Sequence, residues 1–247
     1  MNGAGTPRGV CFDYGKTLVQ FARPENAIGA VGTRLAEELS LGLGPGSGTA
    51  AEFALSLDQL VDELIRAGQR ADPGREVDFQ AIHRQAMYQL LGAWPSLEIS
   101  DRVAAAIQRA WVDGVVVVPE ARLSLIAVRE MGLRTGLCSN APFPPDLMYE
   151  QLERLELRQY FDAVLFSSEI GWRKPDPQIF AELLARLGLP AASVWFVGDE
   201  WEADIQGARS AGMRAFLAPA VAAPPGEMEQ LSRWADLPVR LEQAVIA

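Results

Sequence analysis

Several polar residues of this 247-residue chain could do chemistry, and most of them follow a short apolar run. Asp13 follows "GVCF", Ser139 and Asn140 follow "GLC", and Asp199 follows "WFVG" with Asp204 five residues on; Lys174 follows "FSSEIGWR". Carboxylates hold hard divalent cations through oxygen and can act as nucleophiles, while a lysine offsets charge on anionic oxygens. Of 22 basic residues only Lys16 and Lys174 are lysines, so a lysine here marks a position that needs a compact point charge rather than any cation. Each residue taken singly has an ordinary alternative. Asp199 and Asp204 read equally as a helix cap and a solvated acid, Ser139-Asn140 as a turn, and Lys174 as a surface cation.

The elements that must carry these residues follow from hydrophobic period. "GVCFDY" is a short buried strand. From about Pro24 to Trp111, "IGAVGTRLAEEL", "LDQLVDELIRAG", "FQAIHRQAMYQLLGAW" and "DRVAAAIQRAW" carry apolar residues at helical spacing, with loops at 42–50 and 71–76 between them. After "GVVVVPEA" the chain alternates: helix near "ARLSLIAVREMG", strand "RTGLCSN", helix near "DLMYEQLERL", strand "DAVLFSS". A helix capped by Asp176 with Pro177 at its first position then buries Ile179, Phe180, Leu183, Leu184 and Leu187. Strand "SVWFVGD", helix "ADIQGARSAG" and strand "MRAFLAP" follow, and "APAVAAPPG" loops to a terminal helix. The alternation predicts an α/β fold, a three-layer doubly wound parallel sheet, with an all-helical domain inserted. Residues 1–20 and 116–247 would form the core and 21–115 the helical domain. Ligands bind such sheets at the carboxyl ends of strands, where these polar residues fall.

Composition narrows the partners. A net charge of −10 without any basic run argues against nucleic acid and anionic membranes and for a small-molecule ligand. No apolar run approaches the roughly 20 residues of a membrane span. The opening "MNGAGTPRGVCF" lacks the basic-then-apolar pattern of an export leader, and Cys11 and Cys138 sit in apolar strands as reduced thiols would, which together predict a cytoplasmic protein. Oligomeric state is not legible.

In order and spacing, the four polar motifs resemble those of the haloacid dehalogenase-like superfamily, and a helical insertion directly after the first motif resembles its subclass I cap. "GWRKPDPQIF" and "VGDEWEADIQGARSAGM" extend the likeness over nearly the whole chain. The resemblance implies a Mg²⁺-dependent hydrolase acting through an aspartyl-phosphate on a small phosphorylated metabolite. Asp13 would be nucleophile and metal ligand, with Asp199, the Gly15 carbonyl and Asp204 completing the protein's part of the metal shell. Ser139, Asn140, Thr17 and Lys174 would hold the phosphoryl group, Lys174 also bridging to the nucleophile.

The pattern departs at Gly15, where phosphatases of this family usually carry a second Asp that protonates the leaving group. Loss of a general acid removes about 10² to 10⁴ in rate. Lys16 could supply the missing proton or charge, the lone His83 could do so from the helical domain, or the substrate could have a leaving group that needs none. Two other outcomes stay open: a catalytically reduced protein that binds a phosphorylated ligand, and a metal-free 2-haloacid dehalogenase. A Schiff-base mechanism is disfavoured because residues 21–115 contain no lysine.

Overall fold

A computed structural model describes residues 6–39, 48–219, 221 and 229–246. Most of the loops read at 42–50 and 218–226 lie outside them. The chain divides into two compact units.

The first unit comprises residues 1–21, 116–141 and 156–247. Its centre is a five-stranded parallel sheet of β1 (Gly9–Phe12), β4 (Arg134–Ser139), β5 (Ala163–Phe166), β6 (Val194–Gly198) and β7 (Arg214–Leu217), in the spatial order β5-β4-β1-β6-β7. Short strands β2 (Val19–Phe21) and β3 (Val115–Val117) pair as a separate two-stranded sheet. In register, Phe12 of β1 faces Leu137 on one side and Val197 on the other. All four residues of β1 are buried, which is why the strand reads as an uninterrupted apolar run. Helices flank the sheet, as the alternation predicts. Cys11, Cys138, Leu165 and Phe196 pack in one core with Ile179, Phe180, Leu183 and Leu187 of α8 (Pro177–Leu187), while Leu184 is only partly buried. Asp176 caps α8 by accepting from the Gln178 amide at 2.9 Å. The helix α5 (Pro119–Glu130) packs on β4 and against α10 (Asp236–Ile246).

Chain order along the sheet reverses between β1 and β6. Strands β1, β4 and β5 run outward on one side, and β6 and β7 on the other. The carboxyl ends of β1 and β6 are therefore where sheets of this topology hold ligands.

The second unit comprises residues 22–115 and 142–155. It holds α1 (Glu25–Leu39), α2 (Ala50–Ala71), α3 (Phe79–Leu91) and α4 (Leu97–Ala110), whose stripes bury Ile28, Leu57, Ala86 and Met87. Thr49 and Glu52 form a reciprocal capping box at α2, and Asp78 and Ser96 cap α3 and α4. The division differs from the sequence reading in one respect. Helix α6 (Pro145–Arg154), read from the alternation as a crossover of the core, clusters with the helical unit: Gln108 donates to the Met148 sulfur at 3.7 Å, Arg109 pairs with Glu150 at 2.9 Å, and Arg154 donates to the Arg109 carbonyl at 3.3 Å.

Candidate active site

The first strand delivers Asp13 at its end, where the Asp13 amide still donates to the Val197 carbonyl at 2.9 Å. The chain then turns sharply: the Lys16 amide donates to the Val19 carbonyl at 2.7 Å, and Lys16 itself adopts the left-handed conformation with φ 59°. That conformation favours glycine, so a lysine there carries local strain. Its side chain is exposed.

At the neighbouring strand end, Gly198 and Asp199 leave β6 and enter a π-helical turn, Trp201–Gln206, in which Asp204 is buried. A Cβ on Gly198 would overlap the Asp204 carboxylate, so only glycine admits that carboxylate at this depth. Asp204 Oδ2 accepts from the Glu200 amide at 3.0 Å.

Lys174 joins the two ends. Its Nζ donates to Asp13 Oδ1 and to Asp204 Oδ1, each at 2.6 Å, and its side chain is only 2% exposed. The ammonium also lies 5.5 Å from the centre of the Phe196 ring. Burial alone would release the lysine proton, but the carboxylates of Asp13 and Asp204 outweigh it and hold the ammonium charged. Burial pushes the Asp13 carboxyl up to about 7 against the pull of Lys174, with Asp204 adding to the rise. Asp199 is raised too, by burial first and then by Asp204 and Glu200, while Lys16 and Lys174 pull it down.

One oxygen from each of Asp13, Asp199 and Asp204 lies within 4.8 Å of the others. Such an all-oxygen, anionic set fits a hard divalent cation. Within the set, Asp204 Oδ1 accepts from Lys174 and Oδ2 from the Glu200 amide.

Thr17, read as a phosphate contact, is buried and turns its hydroxyl toward Asp199 Oδ1 at 3.4 Å. Ser139 is buried at the carboxyl end of β4. Asn140 uses its side chain on Lys174: Nδ2 donates to the Lys174 carbonyl at 2.9 Å, and the Lys174 amide donates to Oδ1 at 2.7 Å. The structure thus brings Asp13, Lys174, Asp199 and Asp204 into one cluster, with Thr17 and Asn140 bonded to its members and Lys16 near enough to Asp199 to act on its charge. His83 belongs to the other unit. It is 3% exposed inside the helical unit with Nδ1 3.0 Å from Ser100 Oγ, and burial lowers its proton affinity to about 4, which removes it as a proton donor at neutral pH.

One contributor had no signal in the sequence. A Cβ on Gly15 would lie 2.8 Å from Cε2 of Phe21, whose half-exposed ring packs edge-on to Tyr14.

A phosphoserine phosphatase from Thermus thermophilus is 40% identical over 97 residues, 39% of this chain and 38% of that protein. A glyceraldehyde 3-phosphate phosphatase from Methanopyrus kandleri is 38% identical over 95 residues, 38% of this chain and 40% of that protein. The chain thus aligns with about two fifths of the length of these curated relatives. Among solved structures, a 2-haloacid dehalogenase from Pseudomonas syringae superposes with a TM-score of 0.68 at 24% identity, covering 96% of this chain and 99% of that one. A HAD phosphatase from Thermococcus onnurineus superposes with a TM-score of 0.60 at 22% identity, covering 95% and 97%; at these identities the likeness is one of fold. The profile of the haloacid dehalogenase-like hydrolases matches residues 7–212, and the chain belongs to that family.

Proposed function

We propose that the protein is a Mg²⁺-dependent phosphohydrolase that acts on a small phosphorylated metabolite through an aspartyl-phosphate at Asp13. The observation that carries this reading is the Asp13–Lys174–Asp204 bridge with Asp199 beside it, at the reversal point of the sheet. Phosphatase-named relatives support phosphorus rather than carbon as the centre attacked.

Mg²⁺ would be held by Asp13, Asp199 and the Gly15 carbonyl, with Asp204 assisting the shell, and would offset charge on the phosphoryl oxygens. Lys174 Nζ donates to Oδ1 of Asp13, which keeps a lone pair for the cation, and Oδ2 would attack phosphorus. The new Oδ2–P bond forms as the ester P–O bond breaks, and the leaving oxygen departs with the bonding pair. Water then attacks the aspartyl-phosphate, releasing phosphate and restoring Asp13. Ser139 would donate its hydroxyl to the phosphoryl group. Gly15 supplies no proton to the leaving oxygen, so the site favours leaving groups of low basicity, such as acyl or aryl phosphates, unless Lys16 protonates them. The helical unit would act as the substrate-selecting cap. Buried, unpaired thiols at Cys11 and Cys138 support a cytoplasmic location.

Phosphate release from a panel of acyl, aryl and alkyl phosphates tests the reading. Release that needs Mg²⁺ and is lost in Asp13→Asn is the expected result, and equal release by both proteins contradicts it. A binding protein that keeps the pocket without turnover is the second reading, favoured by Gly15. Tight phosphate-ester binding without turnover, with activity created by Gly15→Asp, would establish it.

A further inference from the structure

We propose that Asn140 is a positioning residue whose carboxamide fixes the main chain of Lys174, and thereby sets the ammonium between Asp13 and Asp204; the inference rests on the phosphoryl-transfer reading of that site. Lys174 has a flexible four-carbon stem that would otherwise sample many rotamers. Its Nζ must nevertheless sit 2.6 Å from oxygens that come from two different parts of the chain. Such placement requires a fixed Cα, and Asn140 provides it by bonding both the amide and the carbonyl of residue 174. Donor and acceptor on one carboxamide reproduce the paired bonds of a sheet rung across 34 residues of sequence.

Asn140 is itself anchored. The next amide, that of Ala141, donates to Ser167 Oγ at 2.8 Å, and the Ser167 hydroxyl lies 3.2 Å from the Ala141 carbonyl that it can donate to. Ser167 is fully buried immediately after β5. Two consecutive residues after β4 are thus tied in the same two-point manner, Ala141 to Ser167 and Asn140 to Lys174. Together they connect the ends of β4 and β5 to the turn that carries the lysine.

The test uses the scarcity of lysine. With ¹⁵N-lysine labelling of the full chain, only two ammonium resonances exist, and Lys16→Arg assigns them. In the native protein the Lys174 resonance is expected to exchange slowly with water. In Asn140→Ala that protection is lost, and kcat for p-nitrophenyl phosphate falls about 10- to 100-fold with little change in KM, the scale of a small misplacement of a reacting group. Asn140→Asp keeps the acceptor for the Lys174 amide and loses the donor, so its losses are expected to be intermediate; it carries the same readings should the alanine variant fail to fold. An unchanged Lys174 resonance in both variants overturns the proposal, as does a raised KM with kcat preserved, which would make Asn140 a substrate contact. The resonance is read without substrate, so a protein with no phosphatase activity still decides the point.

Discussion

The ring of Phe21 stands where a side chain on residue 15 would begin: a Cβ there would lie 2.8 Å from Cε2. An acid at this position and the present ring exclude one another unless the ring swings out. Phe21 is 47% exposed, so it can move, at the cost of its edge-on contact with Tyr14. Such a contact is worth about 0.5 to 1.5 kcal/mol.

From this relationship, Gly15→Asp is expected to raise turnover of alkyl phosphates, and Gly15→Asp with Phe21→Ala to raise it further, toward the roughly 10²-fold gain of a general acid. The two substitutions should therefore be non-additive in a double-mutant cycle. Steady-state rates on alkyl and aryl phosphates measure it. Aryl substrates should gain least, because their leaving groups need no proton.

Acidification should weaken metal binding. Burial raises Asp13 to about 7, so its carboxylate form is present above that pH and is lost as pH falls through it. A cation that binds the carboxylate competes with this proton, and its apparent affinity should fall about tenfold per pH unit below 7. Calorimetric titration of Mg²⁺ at pH 6 and pH 8 checks the slope, which should vanish in Asp13→Asn.

Lys174→Met would leave Asp13 and Asp204 buried without their shared cation. Breaking a buried ion pair from one side costs about 3 to 5 kcal/mol. Urea unfolding at pH 8 should report a loss of this size, and the loss should shrink on acidification as Asp13 protonates. Gly198→Ala should act on the same bridge, because its methyl would collide with Asp204 Oδ2.

The helical unit has its own pH dependence. His83 titrates near 6.5 when unfolded and near 4 when folded, because burial disfavours its charged form. Its depressed value means that stability is complete above 6.5 and is lost as pH falls toward 4. The span corresponds to about 3 kcal/mol. Thermal melts of wild type and His83→Leu between pH 7 and pH 4 should show the wild type losing more on acidification.

The fold was legible because buried parallel strands are short apolar runs, and because three of the five end on or beside a residue that an apolar strand has no reason to carry: Asp13, Ser139, Asp199. Lysine scarcity singled out Lys174, whose Nζ lies between Asp13 and Asp204. Relationships across the sheet were not legible. Nothing in "SN" tells that the Asn140 carboxamide turns to the Lys174 main chain, or in "VQF" that the Phe21 ring covers Gly15. His83 lies on an amphipathic helix whose pattern does not separate a surface position from one facing Ser100. Helix α6 follows the β/α rhythm, yet its contacts to α4 place it with the helical unit.

The central claim is that phosphorus is transferred to Asp13. Rapid acid quench of the enzyme with Mg²⁺ and a ³²P-labelled acyl phosphate, followed by peptide mapping, measures this directly. Label on the peptide containing Asp13, absent in Asp13→Asn and absent when Mg²⁺ is chelated, is the expected result. Turnover without any label on that peptide, or with label elsewhere, would contradict the account.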